Sequence, residues 1–210
     1  MSRATPDPVA VAILAKAPVA GFAKTRLIPE LGAHGAAALQ EAMTERAVEA
    51  ACAASIGPVT LWCTPDERHV SFSELAARLP LTLARQPDGD LGHRMLVAIE
   101  IARGPALVIG TDCPALAADH LSVAADTLRR GADVVLLPVE DGGYSMIGMR
   151  VPQPSLFDSM PWSTPQVMAE TRRRIAAAGL TSHELPPLWD VDVPPDLDRL
   201  PGVGLAHLVS

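Results

Sequence analysis

Apolar positions along this chain fall into two alternating rhythms: short, nearly unbroken runs, and longer stretches with helical spacing. Val9–Ala15 and Ala106–Gly110 are apolar throughout. Pro58–Cys63, Leu81–Ala84, Asp133–Pro138 and Tyr144–Met149 are nearly so. Runs of strand length without polar alternation read as strands buried on both faces. Between them, Gly35–Ser55, Asp66–Leu79, His93–Ala102, Asp119–Arg130 and Thr164–Ala178 read as helices. Asp119 is placed to cap the fourth. Ser163 or Thr164 is placed to cap the fifth, with Pro165 in its first turn. Leu185–Asp192 reads as a last strand and Pro194–Leu200 as a short closing helix. Strand–helix alternation of this kind predicts an α/β fold, a three-layer α/β/α sandwich with a mostly parallel mixed sheet. No internal repeat or composition break interrupts it, so residues 1–210 read as a single domain.

In such sheets ligands bind beyond the carboxyl ends of the strands. The polar loops of this chain follow Ala15, Ala84, Gly110 and Pro138, all of them strand ends. The first, Lys16–Leu27, carries Lys16, Lys24 and Arg26 around Gly21. A phosphate suits it, because the backbone can approach closely at glycine and the cations neutralise the charge. Asp112, in Gly110-Thr-Asp-Cys-Pro114, is placed either to ligate Mg²⁺ or to cap a helix or turn. Asp190 and Asp192, if extended, share one face about 6.6 Å apart. They repel unless a cation intervenes or one is protonated, and solvated acids on an exposed edge are the competing reading. Asp141, before Gly142-Gly143, is either a turn residue or one that lets a substrate near the backbone. Gln86, Asp88, Gly89 and Asp90 form a similar loop, able to hydrogen-bond a base or ribose or to make a plain turn.

Composition narrows the classes. The chain is 49% hydrophobic and 20% charged, which is a globular balance. Aromatics are 3%, so the core is built from aliphatic side chains. A net charge of −7 argues against a nucleic-acid polymer as partner but allows a small anion in a local basic pocket. No apolar run approaches the roughly 18 residues of a membrane span. The N-terminal residues lack a signal-peptide pattern, and Cys52, Cys63 and Cys113 show no metal-ligand spacing; a cytoplasmic protein without a membrane partner is expected. Cys113 has no evident His–Asn partners and reads as a bystander. The P-loop, the G-x-G-x-x-G fingerprint and the G-x-S-x-G elbow are all absent.

Several motifs occur together in order. They are Lys16-x-Pro-x-x-Gly-x-x-Lys-Thr-Arg-Leu27, Gln86…Asp90-Leu-Gly-x-Arg-Met95, Gly110-Thr-Asp-Cys-Pro114, Asp141-Gly-Gly-Tyr144, Trp162-Ser-Thr164 and Asp190-x-Asp192. From about Val9 to Leu200 the chain resembles a bacterial family of glycosyltransferase-A fold, the nucleotide-diphospho-sugar transferase-like proteins, some of them labelled arsenosugar-biosynthesis glycosyltransferases. It is more distantly similar to 2-phospholactate guanylyltransferase and molybdenum-cofactor guanylyltransferase. The resemblance implies Mg²⁺ or Mn²⁺ on Asp112, Asp190 and Asp192, and phosphate contacts by Lys16, Lys24 and Arg26. The Asp-x-Asp metal motif of many sugar transferases is replaced by Gly-Thr-Asp at Asp112.

The expected activity is that of a Mg²⁺-dependent transferase with a nucleotide donor and a small-molecule acceptor. With a nucleotide-sugar donor, Lys24 and Arg26 offset charge on the leaving phosphates and Asp141 positions or activates the acceptor. With a nucleoside triphosphate, a phosphorylated acceptor attacks the α-phosphorus and pyrophosphate leaves. Gly21, Gln86, Gly89 and Asp90 join Lys16, Lys24 and Arg26 as candidate nucleotide contacts. A non-catalytic nucleotide-binding module and a plain scaffold are the competing classes.

Overall fold

The computed structural model describes residues 6–209; the reading of the N-terminus as lacking a signal peptide falls partly on residues outside that range. Seven strands form one sheet: β1 (Ala10–Lys16), β2 (Val59–Thr64), β3 (Leu81–Arg85), β4 (Ala106–Ile109), β5 (Val134–Pro138), β6 (Tyr144–Met149) and β7 (Ser182–Glu184). Their order is β3-β2-β1-β4-β6-β5-β7. Only β6 runs antiparallel to its neighbours, β4 and β5. The sheet is therefore mixed but mostly parallel, as the apolar runs predict.

The reason those runs show no alternation is visible in the core. On one face Val11 and Ile13 of β1, Leu107 and Ile109 of β4, and Val135 and Leu137 of β5 pack against α1 (Ile28–Ala54), α2 (Val70–Arg78) and α4 (Ala118–Arg129). On the other face Ala12, Val108, Val134 and Leu136 pack against α3 (Leu91–Ala102) and α5 (Val167–Ala177). In the central strands both faces exclude water, which favours apolar side chains at nearly every position. No helix among the described residues is long and apolar enough to cross a membrane.

A third, smaller core places the chain's last segment. Leu27, Leu39 and Met43 pack with Val191, Leu197, Leu200 and Leu205. This clamps the carboxyl-terminal 3₁₀ segment, Pro194–Val203, onto the start of α1. It brings residues 190–192 beside the loop that follows β1.

Several element boundaries need correction. α1 begins at Ile28, well before Gly35, and is broken at Gly32, whose φ of 68° is left-handed. Asp119 does not cap α4: that helix starts at Ala118, and His120 Nδ1 accepts from the Ala117 N–H at 3.0 Å. α5 starts at Val167, and the Thr164 hydroxyl donates to Pro161 O at 2.7 Å instead of capping it. Leu185–Asp192 is not a strand. The edge strand is the exposed Ser182–Glu184, followed by a single bridge between Val139 and Leu188.

Candidate functional site

A cleft of about 440 Å³ opens at the edge where β1, β4 and β5 end. Because β6 is antiparallel, its first residue, Tyr144, lies opposite Pro138, at the same edge. Four carboxylates line the cleft: Asp112 after β4, Asp141 in the β5–β6 turn, and Asp190 and Asp192 on the carboxyl-terminal arm. Arg26 is the only cationic side chain among the lining residues.

Backbone and buried polar contacts hold these acids in place. Val191 N–H donates to Asp112 O at 2.9 Å, joining the arm to the β4 loop. Gln40, buried in α1, donates to the hydroxyls of Thr111 and Thr44, each at 3.1 Å, and so pins the residue before Asp112. Asp196 accepts from the N–H groups of Asp192 and Val193, both at 2.8 Å, and fixes the turn that carries Asp192. Asp141 accepts from Gly143 N–H at 2.7 Å. Gln40, Thr44 and Asp196 carry no motif signal, and only packing reveals them.

The acids are not left to repel one another freely. Lys24 Nζ lies 2.6 Å from Asp112 Oδ1 and 3.3 Å from Asp192 Oδ1, and it donates to Val191 O at 2.5 Å. Its side chain is 5% exposed. Arg26, 68% exposed, reaches Asp192 Oδ2 at 3.6 Å. Among the described residues no cation forms an ion pair with Asp190, and its carboxyl is pushed up to about 6, first by burial and then by the charges of Asp141, Asp192 and Asp112.

A folded-state value above the unfolded one means that protonation favours the folded state. The stability this group contributes is complete below about pH 4, its unfolded range, and is lost as pH rises through about 6. Asp190→Asn is therefore expected to raise the melting temperature relative to the native chain at pH 7.5. That gain should shrink towards pH 4.5. A melting-temperature difference that stays flat across this range would refute the assignment.

The cleft also has a neutral lining. Tyr144, Ser145, Trp162, Ser163 and Thr164 contribute to it, and among the described residues Tyr144 Oη, Ser145 Oγ and Trp162 Nε1 are buried without hydrogen-bonding partners. The nearby Thr171 hydroxyl donates instead to Val167 O at 2.8 Å. Ser145 lies beside the thiol of Cys113, which burial pushes up to about 11. A thiol so resistant to ionisation is a poor nucleophile, in keeping with its reading as a bystander. Trp162 stacks on Phe157, with ring centroids 6.5 Å apart, and covers Gly92, where a Cβ would lie 2.7 Å from the indole.

The structure brings Arg26, Asp112, Asp141, Asp190 and Asp192 to one cleft, with Lys24 directly behind. It does not bring the other candidates there. Gln86 is buried as a strut, donating to Ala15 O at 3.1 Å and Trp62 O at 2.8 Å while its Oε1 accepts from Arg94. Asp90 caps α3, accepting from His93 N–H at 2.8 Å. Gly89, at a φ of 118°, turns the chain into that cap, and its carbonyl accepts from Arg94. Lys16, the last residue of β1, and Gly21, on the loop that follows, are exposed and do not line the cleft.

Among the described residues, no three His, Cys, Asp or Glu side chains are gathered closely enough to hold a metal by themselves. The carboxylate oxygens of Asp112, Asp190 and Asp192 are nonetheless of the donor type that Mg²⁺ and Mn²⁺ prefer.

The chain is similar to several solved structures. It is 27% identical to a candidate nucleotide-diphospho-sugar transferase from Desulfovibrio desulfuricans G20, with a TM-score of 0.83 over 91% of this chain and 85% of that one. A nucleotidyl transferase from Methanothermobacter thermautotrophicus shares the fold at 15% identity, with a TM-score of 0.60 over 96% of this chain and 98% of that one. Glucosyl-3-phosphoglycerate synthase from Mycobacterium tuberculosis, solved with Mn²⁺, UDP and glucosyl-3-phosphoglycerate, shares it at 10% identity, with a TM-score of 0.56 over 96% and 78%. No curated protein matches. The family described as "Uncharacterized protein conserved in bacteria (DUF2064)" matches residues 47–164, from the middle of α1 through β2–β6 to Thr164 in the cleft wall, and the chain belongs to that family.

Proposed function

We propose that this protein is a divalent-metal-dependent transferase that uses a nucleotide donor, and specifically one that transfers a glycosyl group from a nucleotide-sugar to a small acceptor. The observation that carries this reading is the make-up of the cleft lining, which joins four carboxylates and Arg26 to the neutral side chains of Tyr144, Ser145, Trp162 and Ser163. The likeness to nucleotide-sugar and nucleotidyl transferases supports the broader class.

Asp112, Asp190 and Asp192 would hold Mg²⁺ or Mn²⁺, which when bound offsets charge on the donor phosphates. Arg26 reaches the same phosphates from the mouth of the cleft. The acceptor oxygen bonds to the anomeric carbon as the bond to the diphosphate breaks, and the electron pair leaves with the nucleoside diphosphate. Asp141, exposed in the turn that precedes Tyr144, takes the acceptor's proton.

Nucleotidyl transfer to a phosphorylated acceptor is the second reading, and the nucleotidyl transferases of the same fold favour it. It would bring a further phosphate into a cleft whose lining includes one cation and four carboxylates. That balance of charge favours the glycosyl donor. Thermal shift with Mn²⁺ separates the two. Nucleotide-sugars are expected to raise the melting temperature more than the matching triphosphates. A larger shift with triphosphates would favour the second reading, and no shift with either would refute both.

A further inference from the structure

Lys24 is the most buried cation at the site, and it does not line the cleft. Its ammonium takes one oxygen from each of two carboxylates, Asp112 Oδ1 at 2.6 Å and Asp192 Oδ1 at 3.3 Å, together with the carbonyl of Val191 at 2.5 Å. These contacts tie Lys24 to two segments distant from it in sequence, the loop after β4 and the arm. The backbone is built to deliver it. Lys24 sits at φ 44° and ψ 47°, a left-handed conformation that costs a non-glycine residue about 1 kcal/mol and persists only where the surroundings hold it. By contrast, the side chains of Asp112 and Asp192 are 51% and 42% exposed towards solvent and the cleft. The ammonium lies behind the carboxylates and satisfies them from within the protein.

From this arrangement, and resting on the metal–phosphate reading above, we infer that Lys24 is a specificity-determining counter-ion: it makes the site accept a divalent cation as its complex with a nucleoside diphosphate group, and reject the bare cation. In the free protein Asp112 and Asp192 already have a cationic partner. A bare divalent ion must approach that fixed positive charge and share carboxylates that are already paired. A cation carrying its own diphosphate brings negative charge to balance Lys24 and Arg26, and needs fewer ligands from the protein. Lys24 thus acts through Asp112 and Asp192 and is not itself a phosphate contact. This replaces the role its place in the basic loop predicts.

The test measures free Mn²⁺ by electron paramagnetic resonance during titration of the full chain, without nucleotide and then with UDP or GDP. The native chain is expected to bind Mn²⁺ at least tenfold more tightly when the diphosphate is present. Without nucleotide, Lys24→Met and Lys24→Gln should bind Mn²⁺ at least tenfold more tightly than the native chain, whereas Lys24→Arg, which keeps the charge, should stay within about threefold of it. Circular dichroism melts identify the variants that fold, and Lys24→Gln can still donate to Val191 O. Neutral variants that fold but bind bare Mn²⁺ no better than the native chain would overturn the inference. So would a native chain that binds Mn²⁺ equally well with and without diphosphate, a comparison that needs no variant. In both cases the site still binds metal and the functional reading stands. Absence of Mn²⁺ binding under every condition overturns the reading and the inference together.

Discussion

Asp112→Asn is expected to lower transfer, and Mn²⁺-dependent donor binding with it, by about 100-fold or more. The substitution removes one negative charge and little else. Asp112's structural contact runs through its backbone carbonyl, which accepts from Val191 N–H whatever the side chain. The preceding Thr111 remains pinned by Gln40. Lys24 keeps Asp192 and Val191 O as partners, and the amide oxygen of Asn can still accept from it. The cost to stability should therefore be small, on the order of 1 kcal/mol. Calorimetry with Mn²⁺ and a nucleoside diphosphate reads the binding, and a melt taken alongside reads the fold. Undiminished binding in a folded variant would remove Asp112 from the metal site.

The layers of this fold were legible because burial on both faces leaves an unmistakable trace. Val9–Ala15 is apolar at every position since Val11 and Ile13 face one helical layer while Ala12 faces the other. The β7 edge was not legible. Ser182-His-Glu184 is exposed and has no apolar signature, while the apolar residues after it, which look strand-like, are interrupted by Pro186 and Pro187. Proline cannot donate to a ladder, so that stretch makes one bridge, at Leu188.

The site divides in a similar way. Residues directly after a strand, such as Asp112 and Asp141, reach the cleft because parallel topology carries all such loops to one edge. Gln86 and Asp90 also follow a strand, but nearby backbone groups claim their side chains: strand carbonyls for Gln86, and a helix N-terminus for Asp90. A local rule cannot tell a polar group that awaits a ligand from one that is already satisfied. The pairing of Lys24 with Asp192 spans 168 positions, and it follows from the third core, where Leu27 meets Val191 and Leu200. Sequence showed the charges; only packing showed which of them meet.

That distinction separates the two cations of the basic loop and leads to the second large effect. Arg26→Ala is expected to weaken binding of a nucleoside diphosphate or nucleotide-sugar by about 10- to 100-fold, the worth of one or two charge-assisted hydrogen bonds. Arg26 is free to make them. It is mostly exposed, lines the cleft, and touches Asp192 only at 3.6 Å, too long for a strong bond. Its exposed ion pair contributes little to stability, so the melting temperature should hardly move. Arg26→Lys should recover only part of the loss, since an ammonium cannot bind two phosphate oxygens as a planar fork does. The decisive comparison is with the bare nucleoside, whose binding should be unchanged. Equal losses for nucleoside and diphosphate would mean that Arg26 shapes the cleft and does not touch phosphate. An effect at Lys24 alone, with none at Arg26, would restore Lys24 as the phosphate ligand and move the donor's diphosphate deeper than the carboxylates.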